Sequence, residues 1–277
     1  MNSLKVKKII EEALLEDLGM GDITTESIIP EDREASAIFI VKEDGVIAGL
    51  SIAELSIHTL DPKSIFTYLK KDGAHVQAGE EIAKVSGSAR GILSSERVAL
   101  NFLQRMSGIA TMASKMANMV RPYGVMVADT RKTTPNLRIL EKYAVSVGGA
   151  FNHRYGLDDA ALIKDNHIKV AGGIGPAVKS LGEKISHTMK IEVEVETLED
   201  VMEAIESRVD IIMLDNMSIE EMKEAVKLIN GRAIVEASGG IRRENIVEVA
   251  KTGVDYISIG GLTHSAPALD ISLEVLT

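Results

Sequence analysis

Six strand-then-helix repeats, which begin after Pro122, constrain the fold of this chain more than any other feature. Short apolar strands alternate with helical patterns at spacings of roughly 20 to 35 residues. Strands that alternate with helices in this way pair in parallel through right-handed crossovers. The sequence therefore predicts a parallel sheet whose strands span residues 125–129, 160–164, 191–195, 210–214, 233–237 and 256–260.

A complete parallel α/β barrel has about eight such units, so six units predict either an incomplete barrel or an open doubly wound sheet. No G-x-G-x-x-G loop follows the first strand, which argues against a dinucleotide-binding sheet. We expect the first helix to begin at Pro135, with Thr134 as its N-cap. The later helices are predicted at 176–185, 198–207, 219–230 and 242–251, with capping boxes at Thr197/Asp200 and Ser218/Glu221.

The first hundred residues have a different pattern, that of a small α+β domain. An amphipathic helix is predicted at 3–18, and a second long helix begins near Ser94 with an expected break at Ser107–Gly108. Between the two helices, the sequence predicts strands at 35–41 and 45–49, a helix at 51–60, and short strands between glycine turns.

The composition excludes several classes of function. The chain has no Cys, which excludes disulfides, thiolate catalysis and zinc–thiolate sites. A formal net charge of −10 and an aromatic content of 3% argue against nucleic-acid binding. No apolar run approaches the roughly 20 residues that span a bilayer, and the charged first helix does not have the pattern of a signal peptide. We therefore expect a cytoplasmic protein with no membrane partner.

Positive charge is concentrated in one stretch of this acidic chain, from Arg131 to Lys169. The stretch contains seven Lys or Arg residues against four Asp or Glu residues. A solvated face would mix its charges more evenly, so this pattern predicts a pocket for a small molecule with several negative charges. Four of the seven basic residues lie in three tight sets: Thr130-Arg131-Lys132, His153-Arg154 and Lys164-Asp165-Asn166-His167.

Polar residues also follow each of the remaining predicted strands, at the ends where parallel α/β folds form their active sites. Glu194 and Asp215, on neighbouring strands, are candidates to bind sugar hydroxyls or Mg²⁺. The alternation of Glu192, Glu194 and Glu196 has an alternative interpretation as a solvated edge strand.

Glycine loops follow the last two strands, and these loops favour phosphate binding because their N–H groups approach a ligand closely. The simpler interpretation is that these glycines only end the strands. The candidate residues are Ser238, Gly239, Gly240, Gly260 and Gly261.

Nine ordered motifs give the chain a strong resemblance to the quinolinate phosphoribosyltransferases, the decarboxylating enzymes of NAD synthesis. The resemblance covers nearly the whole chain, with one small departure at Ala150-Phe151, where the family often has another glycine. The motifs are EDLGMGDITTE, SERVALNFLQRMSGIAT, DTRKTTPNLRILEKYAV, GGAFNHR, ALIKDNHI, IEVEVET, IIMLDNM, EASGGI and GVDYISIGGLTHSAPALDISL.

The resemblance implies an N-terminal α/β sandwich domain at 1–106, which the segment 266–277 joins, and an incomplete six- to seven-stranded parallel α/β barrel at 107–265. It also implies a homodimer with shared active sites, and it leaves open whether the dimers assemble into a higher oligomer. Arg97 alone would be interpreted as a surface residue, but the resemblance implies that it reaches the pocket of the neighbouring subunit.

The resemblance implies two substrates, quinolinate and phosphoribosyl pyrophosphate, with Mg²⁺ as the cofactor. Lys132, Lys164, Glu194 and Asp215 would be catalytic, and Glu194 and Asp215 would hold the metal directly or through water or substrate. The quinolinate set would be Arg97, Thr130, Arg131, His153, Arg154 and Lys164. The phosphoribosyl pyrophosphate set would be Lys132, Glu194, Asp215, Ser238, Gly239, Gly240, Gly260, Gly261 and His264.

Two alternatives remain open from the residues. One is a phosphoribosyltransferase for another pyridine or aromatic carboxylate, such as nicotinate, although a monocarboxylate would need fewer cations. The other is a barrel that binds a phosphorylated sugar without catalysis.

Overall fold

The computed structural model of the chain describes residues 1–276, which divide into two compact units. The first unit contains Met1–Ser114, Thr133–Gly149 and the segment from Leu262 onward, and the second contains Lys115–Lys132 and Ala150–Gly261. Within residues 1–276, no helix is both long and apolar enough to cross a membrane.

The strands are β1 (Glu34–Val41), β2 (Gly45–Val46), β3 (Ile65–Tyr68), β4 (His75–Val76), β5 (Glu81–Ser88), β6 (Met126–Ala128), β7 (Ala161–Ile163), β8 (Ile191–Val195), β9 (Ile211–Asp215), β10 (Ile234–Ser238), β11 (Tyr256–Ser258) and β12 (Ile271–Leu276). The helices are α1 (Ser3–Leu18), α2 (Ile23–Ile28), α3 (Leu50–Leu60), α4 (Ala89–Val120), α5 (Arg138–Val147), α6 (Asp165–Ala171), α7 (Ile174–Gly182), α8 (Leu198–Glu206), α9 (Ile219–Ile229), α10 (Ile246–Ala250) and α11 (Gly261–His264).

The first unit is built on an antiparallel sheet in the order β12-β1-β5-β3. The alternation predicted for residues 35–41 is confirmed, because Ala37, Phe39 and Val41 lie in the hydrophobic core. Helix α1 begins and ends as its sequence predicts: Asn2 accepts a hydrogen bond from the Lys5 N–H, and Gly19 follows the last turn with a positive φ.

The break expected at Ser107–Gly108 is wrong, because α4 continues through both residues as one helix of 32 residues. Tertiary contacts explain why a serine and a glycine stand there. The Ser107 hydroxyl bonds to the backbone N–H and carbonyl of Ala48. Gly108 lies directly against the backbone of Pro267, where a Cβ atom would come within 1.9 Å of the Pro267 carbonyl oxygen.

The substitution Gly108→Ala is therefore expected to lower the free energy of unfolding by about 3 kcal/mol, because the backbone has to move to admit a methyl group. Urea denaturation measures this loss. The matched control is Gly182→Ala in α7, where nothing lies within 4 Å of an added Cβ. Because alanine is a better helix former than glycine, the control should cause no loss. Equal stability of the two variants would contradict the close-packing explanation.

The second unit contains a six-stranded parallel sheet in the order β6-β11-β10-β9-β8-β7. An isolated parallel bridge between Ala128 and Phe151 adds a short seventh segment beside β6. All six predicted strands are present to within two residues at each end, in the incomplete α/β barrel that the resemblance implies. Three of the connecting helices, α7, α8 and α9, also lie within three residues of where they were expected, and α6 is an additional short helix.

Two predicted helix starts are wrong. The helix expected at Pro135 begins at Arg138, because the Glu141 carboxylate accepts hydrogen bonds from the Thr134 N–H and hydroxyl and holds the preceding residues in a turn. The helix expected at residue 242 begins only at Ile246. By contrast, the capping box of Ser218 and Glu221 is confirmed. The Ser218 hydroxyl accepts from the Glu221 N–H, and the Glu221 carboxylate accepts from the Ser218 N–H. Thr197 also caps α8, by accepting from the Asp200 N–H.

Candidate active site

A cavity of about 370 Å³ lies at the carboxyl ends of the parallel strands, within the second unit. Nine of the predicted site residues line this cavity. They are Thr130, Arg131, Lys132, His153, Arg154, Lys164, Glu194, Asp215 and Ser238. Leu162, Met213 and Ser258 complete the lining and were not predicted. The two apolar side chains give the cavity a surface against which a flat ring can pack.

A larger depression, of about 1160 Å³, lies near the opposite ends of the strands. Its lining mixes cations with carboxylates, among them Arg208, Asp210, Arg232 and Asp255. Parallel α/β proteins place their active sites at the carboxyl ends of the strands. The cavity at the carboxyl ends is therefore the better candidate for the active site, although it is the smaller of the two.

Two guanidinium groups define the cationic side of the cavity. Arg154 is partly buried and donates a hydrogen bond from Nη1 to the Ala160 carbonyl at 3.0 Å. Burial lowers the pKa of Arg154, and the positive charge of Arg131 lowers it further. This electrostatic cost would be relieved by an anion between the two groups, which is the arrangement of a carboxylate-binding site.

A lysine and two carboxylates form a second charged group in the cavity. Lys164 makes an ion pair with Glu194. Burial raises the pKa of Asp215, the negative charge of Glu194 raises it further, and Lys164 opposes both effects. Two adjacent carboxylates of this kind offer the oxygen ligands that Mg²⁺ prefers, so the residues present fit that ion.

The first cationic loop is shaped by local hydrogen bonds. The Thr130 hydroxyl accepts from the Lys132 N–H at 3.0 Å, which closes a turn directly after β6. Just before it, the fully buried carboxylate of Asp129 accepts from the His153 N–H at 2.9 Å and from the Asn152 side-chain amide at 2.8 Å. Asp129 therefore ties the Arg131 loop to the Arg154 loop, a role that the sequence analysis missed.

The glycine loops lie at the same ends of the sheet but do not line the cavity. Gly239 and Gly240 both have positive φ angles, and a Cβ atom on Gly239 would lie 2.2 Å from the Asn216 side-chain oxygen. Gly261 begins α11, whereas Ser238 is separated from the start of α10 by several residues. The phosphate role of Ser238, Gly239, Gly240, Gly260 and Gly261 remains a prediction.

Arg97 and His264, the two remaining predicted site residues, belong to the first unit. Both side chains are exposed. The ring Nδ1 of His264 lies 2.6 Å from the Ser265 hydroxyl.

Beneath the cationic loop lie two buried carboxylates that the predicted site does not include. Glu192 on β8 and Glu236 on β10 are 3% and 5% exposed, and both contact the ring of His153. Burial, together with the charge of Glu192, raises the pKa of Glu236 to about 7, although His153 opposes the rise. A lone Glu in the apolar run AIVEA is the signal that identifies Glu236 from sequence.

The raised pKa of Glu236 predicts a stability that depends on pH. Because the folded-state pKa of about 7 exceeds the ordinary 4.5, the folded state binds the extra proton between these values. This contribution is fully present below pH 4.5 and is lost as the pH rises through 7. The variant Glu236→Gln, which mimics the protonated side chain, should therefore gain stability over the wild type as the pH rises from 5 to 8.5. The gain should be on the order of 2 to 3 kcal/mol.

Urea denaturation at both pH values measures the difference between variant and wild type. The control is Glu196→Gln. Glu196 is exposed and directly follows β8, the strand that carries Glu192, so the stability difference between this variant and the wild type should not change with pH. A Glu236→Gln difference that stays constant between pH 5 and 8.5 would contradict the assignment.

The chain matches two family profiles that together cover most of its length. The profile described as "Quinolinate phosphoribosyl transferase, N-terminal domain" matches residues 22–107, and the corresponding C-terminal domain profile matches residues 109–274.

Individual relatives agree with the profiles. The chain is 45% identical to the chloroplastic carboxylating nicotinate-nucleotide pyrophosphorylase of Arabidopsis thaliana, over 98% of this chain and 83% of the relative. It is 44% identical to a probable enzyme of the same name from Bacillus subtilis, over 99% and 95% of the two chains. The solved nicotinate-nucleotide pyrophosphorylase of Francisella tularensis superposes with a TM-score of 0.95 at 42% identity, covering 100% of this chain and 98% of the other. On this sequence and structural similarity, the chain belongs to the quinolinate phosphoribosyltransferase family.

Proposed function

We propose that this protein transfers the phosphoribosyl group of phosphoribosyl pyrophosphate to the ring nitrogen of quinolinate, in the cavity described above, with loss of CO₂. The products are nicotinate mononucleotide and pyrophosphate, so the reaction belongs to NAD biosynthesis. The observation that carries this proposal is the cavity itself, whose lining combines the cations Arg131, Arg154 and Lys164 with the carboxylates Glu194 and Asp215. A dicarboxylate and a phosphorylated sugar require these two kinds of surface.

The quinolinate carboxylates are assigned to the cationic side of the cavity. Arg131 and Arg154 can each bind a carboxylate in a bidentate fashion, and the electrostatic cost of placing them together supports this role. Lys164, released from Glu194, would supply a third cation. Thr130 completes the set from this chain, and His153 lines the same cavity.

Phosphoribosyl pyrophosphate is assigned to the other strand ends. Lys132 would contact the pyrophosphate, and Glu194 and Asp215 would bind the ribose hydroxyls. The same two carboxylates would hold Mg²⁺, which when bound neutralises negative charge on pyrophosphate. The 5-phosphate is assigned to Ser238, Gly239, Gly240, Gly260 and Gly261, with His264 nearby.

The chemistry requires no covalent enzyme intermediate. The bond between ribose C1 and the pyrophosphate oxygen breaks with its electron pair on the oxygen, and Lys132 stabilises that developing charge. The quinolinate nitrogen, oriented by its clamped carboxylates, donates its lone pair to C1. The adjacent carboxylate then leaves as CO₂, its bonding pair remains on the ring carbon beside the pyridinium nitrogen, and that carbon takes up a proton.

Incubation of the purified protein with quinolinate, phosphoribosyl pyrophosphate and Mg²⁺ tests this proposal. The expected result is stoichiometric release of pyrophosphate and CO₂ together with the absorbance change of the pyridine product. Nicotinate in place of quinolinate should give little product. Turnover of nicotinate without CO₂ release would favour the monocarboxylate alternative, and binding of phosphoribosyl pyrophosphate without any pyrophosphate release would favour a non-catalytic barrel.

A homodimer with shared active sites, which the family resemblance implies, is part of the proposal. Arg97 belongs to the unit that does not form the cavity. Arg97 of the partner subunit would complete the carboxylate clamp. We expect Arg97→Ala and Lys132→Ala chains to be nearly inactive separately and to recover up to about a quarter of wild-type activity when co-expressed, because mixed dimers regain one intact site. Steady-state assays of the co-expressed chains measure this recovery. No recovery in dimers shown to be mixed would contradict a shared site.

A further inference from the structure

The buried pair Glu192 and Glu236 converges on one nitrogen of His153. The Nε2 atom lies 3.3 and 3.2 Å from the two carboxylate oxygens of Glu192 and 3.6 Å from Oε1 of Glu236. The two glutamates come from β8 and β10, on either side of β9. Burying two carboxylates side by side is costly, and hydrophobic residues would pack there at lower cost. The arrangement therefore calls for a functional explanation.

The other ring nitrogen settles the state of the histidine. Nδ1 of His153 accepts a hydrogen bond from the Arg154 backbone N–H at 2.8 Å. An acceptor nitrogen carries no proton, so the ring proton lies on Nε2 and points between the two carboxylates. In this arrangement His153 is an uncharged donor rather than a cation.

The ring thereby connects the buried carboxylates to the main chain of the anion-binding loop. On one side the His153 N–H donates to Asp129, and on the other the Arg154 guanidinium donates to the Ala160 carbonyl. The hydrogen bond from the Arg154 N–H to the ring lies between these two anchors. If the ring rotated or exchanged its proton between nitrogens, this central bond would be lost.

We propose that Glu192 and Glu236 are positioning residues for the phosphoribosyl transfer: they hold His153 as the Nε2–H tautomer, and its Nδ1 fixes the main chain that presents Arg154 to the substrate carboxylate. The proposal rests on the proposed function, because it concerns the geometry of the quinolinate clamp. Neither glutamate touches the substrate. A displaced guanidinium would weaken the binding of quinolinate and leave the phosphoribosyl pyrophosphate side of the cavity unchanged.

The same three groups lie close enough to hold a metal ion, since one ligand atom from each lies within 4.8 Å of the others. A metal would require the lone pair of Nε2, which carries the ring proton when Nδ1 accepts from Arg154. A metal ion at Nε2 and a proton at Nε2 therefore require different protonation states of the His153 ring. A measurement of which ring nitrogen carries the proton distinguishes the two.

Steady-state kinetics of Glu192 variants test the positioning role. Glu192→Ala should raise the KM for quinolinate by about 10- to 100-fold with little change in the KM for phosphoribosyl pyrophosphate. Glu192→Gln should restore most of the loss, because its amide oxygen still accepts from Nε2–H. The control Glu196→Ala, at the exposed end of the same strand, should match the wild type. In a His153→Ala background, Glu192→Ala should have little further effect, because the ring through which it acts is absent.

Nitrogen NMR of ¹⁵N-histidine-labelled wild-type protein supplies a test that needs neither activity nor a folded variant. The expected spectrum assigns His153 as the Nε2–H tautomer with an unprotonated Nδ1. A protonated Nδ1, a metal-shifted Nε2, or an equal Glu192→Ala effect with and without His153 would each overturn the proposal. Failure of the proposed function would instead appear as a wild-type protein that releases no CO₂ from quinolinate, whatever the state of the ring.

Discussion

Replacing Lys132 with alanine is expected to lower kcat by at least about 100-fold while leaving the fold intact. Lys132 lines the cavity at the carboxyl end of β6, where its charge can meet the departing pyrophosphate. Charge on that group grows as the bond to C1 breaks, so the interaction is stronger in the transition state than in the ground state. Its loss should therefore appear in kcat more than in the KM for phosphoribosyl pyrophosphate.

The matched control is Lys169→Ala, which removes a lysine from the same cationic stretch but not from the cavity. Lys169 pairs with Asp165 at 3.2 Å, and its side chain is 73% exposed. Initial rates with both substrates varied should show wild-type kinetics for this variant. A Lys132→Ala enzyme with unchanged kcat and only a raised KM would contradict a role in stabilising the transition state.

The parallel sheet was predictable because its strands combine two independent signals. Runs such as residues 211–214 are apolar at every position, as strands covered on both faces must be, and β9 is buried accordingly. Each run is followed by a helix with an amphipathic pattern, which fixes the parallel pairing. The strand-end residues then had to converge, and nine of them line one cavity.

The helix boundaries were less predictable because tertiary contacts override local signals. Thr134 and Pro135 have the pattern of a helix start, yet the carboxylate of Glu141 captures the Thr134 N–H and hydroxyl for a turn. Glu141 is itself held by the Arg105 guanidinium at 2.9 Å. Gly108 is a similar case: glycine usually weakens a helix, but here it admits a neighbouring backbone. Contacts between residues far apart in the sequence decide both outcomes.

The supporting residues of the site were the hardest to predict. The alternation of Glu192, Glu194 and Glu196 indicated one shared face, but not that exposure would increase from the buried Glu192 to the exposed Glu196. Only the tertiary structure shows that Glu192 on β8 and Glu236 on β10 both contact His153. The sequence places His153 beside Arg154 in a cationic set, which predicts a charged side chain. Its ring contacts indicate instead an uncharged hydrogen-bonding group.

The substitution Glu194→Gln is expected to lower kcat/KM for phosphoribosyl pyrophosphate by on the order of 100-fold and to raise the Mg²⁺ concentration needed for half-maximal rate. Glu194 and Asp215 are close enough for the charge of one to raise the pKa of the other. Removing one charge leaves Asp215 with less repulsion but gives a divalent cation a weaker site. Loss of the ion pair with Glu194 also frees Lys164, so the KM for quinolinate should not rise.

Initial rates as a function of Mg²⁺, at fixed and at varied phosphoribosyl pyrophosphate, separate these effects. The matched control is Glu196→Gln, which removes the same charge one alternation further along the strand, at an exposed position outside the cavity. If the assignment is right, the control keeps the wild-type Mg²⁺ dependence and only Glu194→Gln shifts it. Equal small losses in both variants would mean that general negative charge, rather than a metal-binding pair, is what the strand end contributes. In that case Glu194 and Asp215 would retain only a role in binding the ribose.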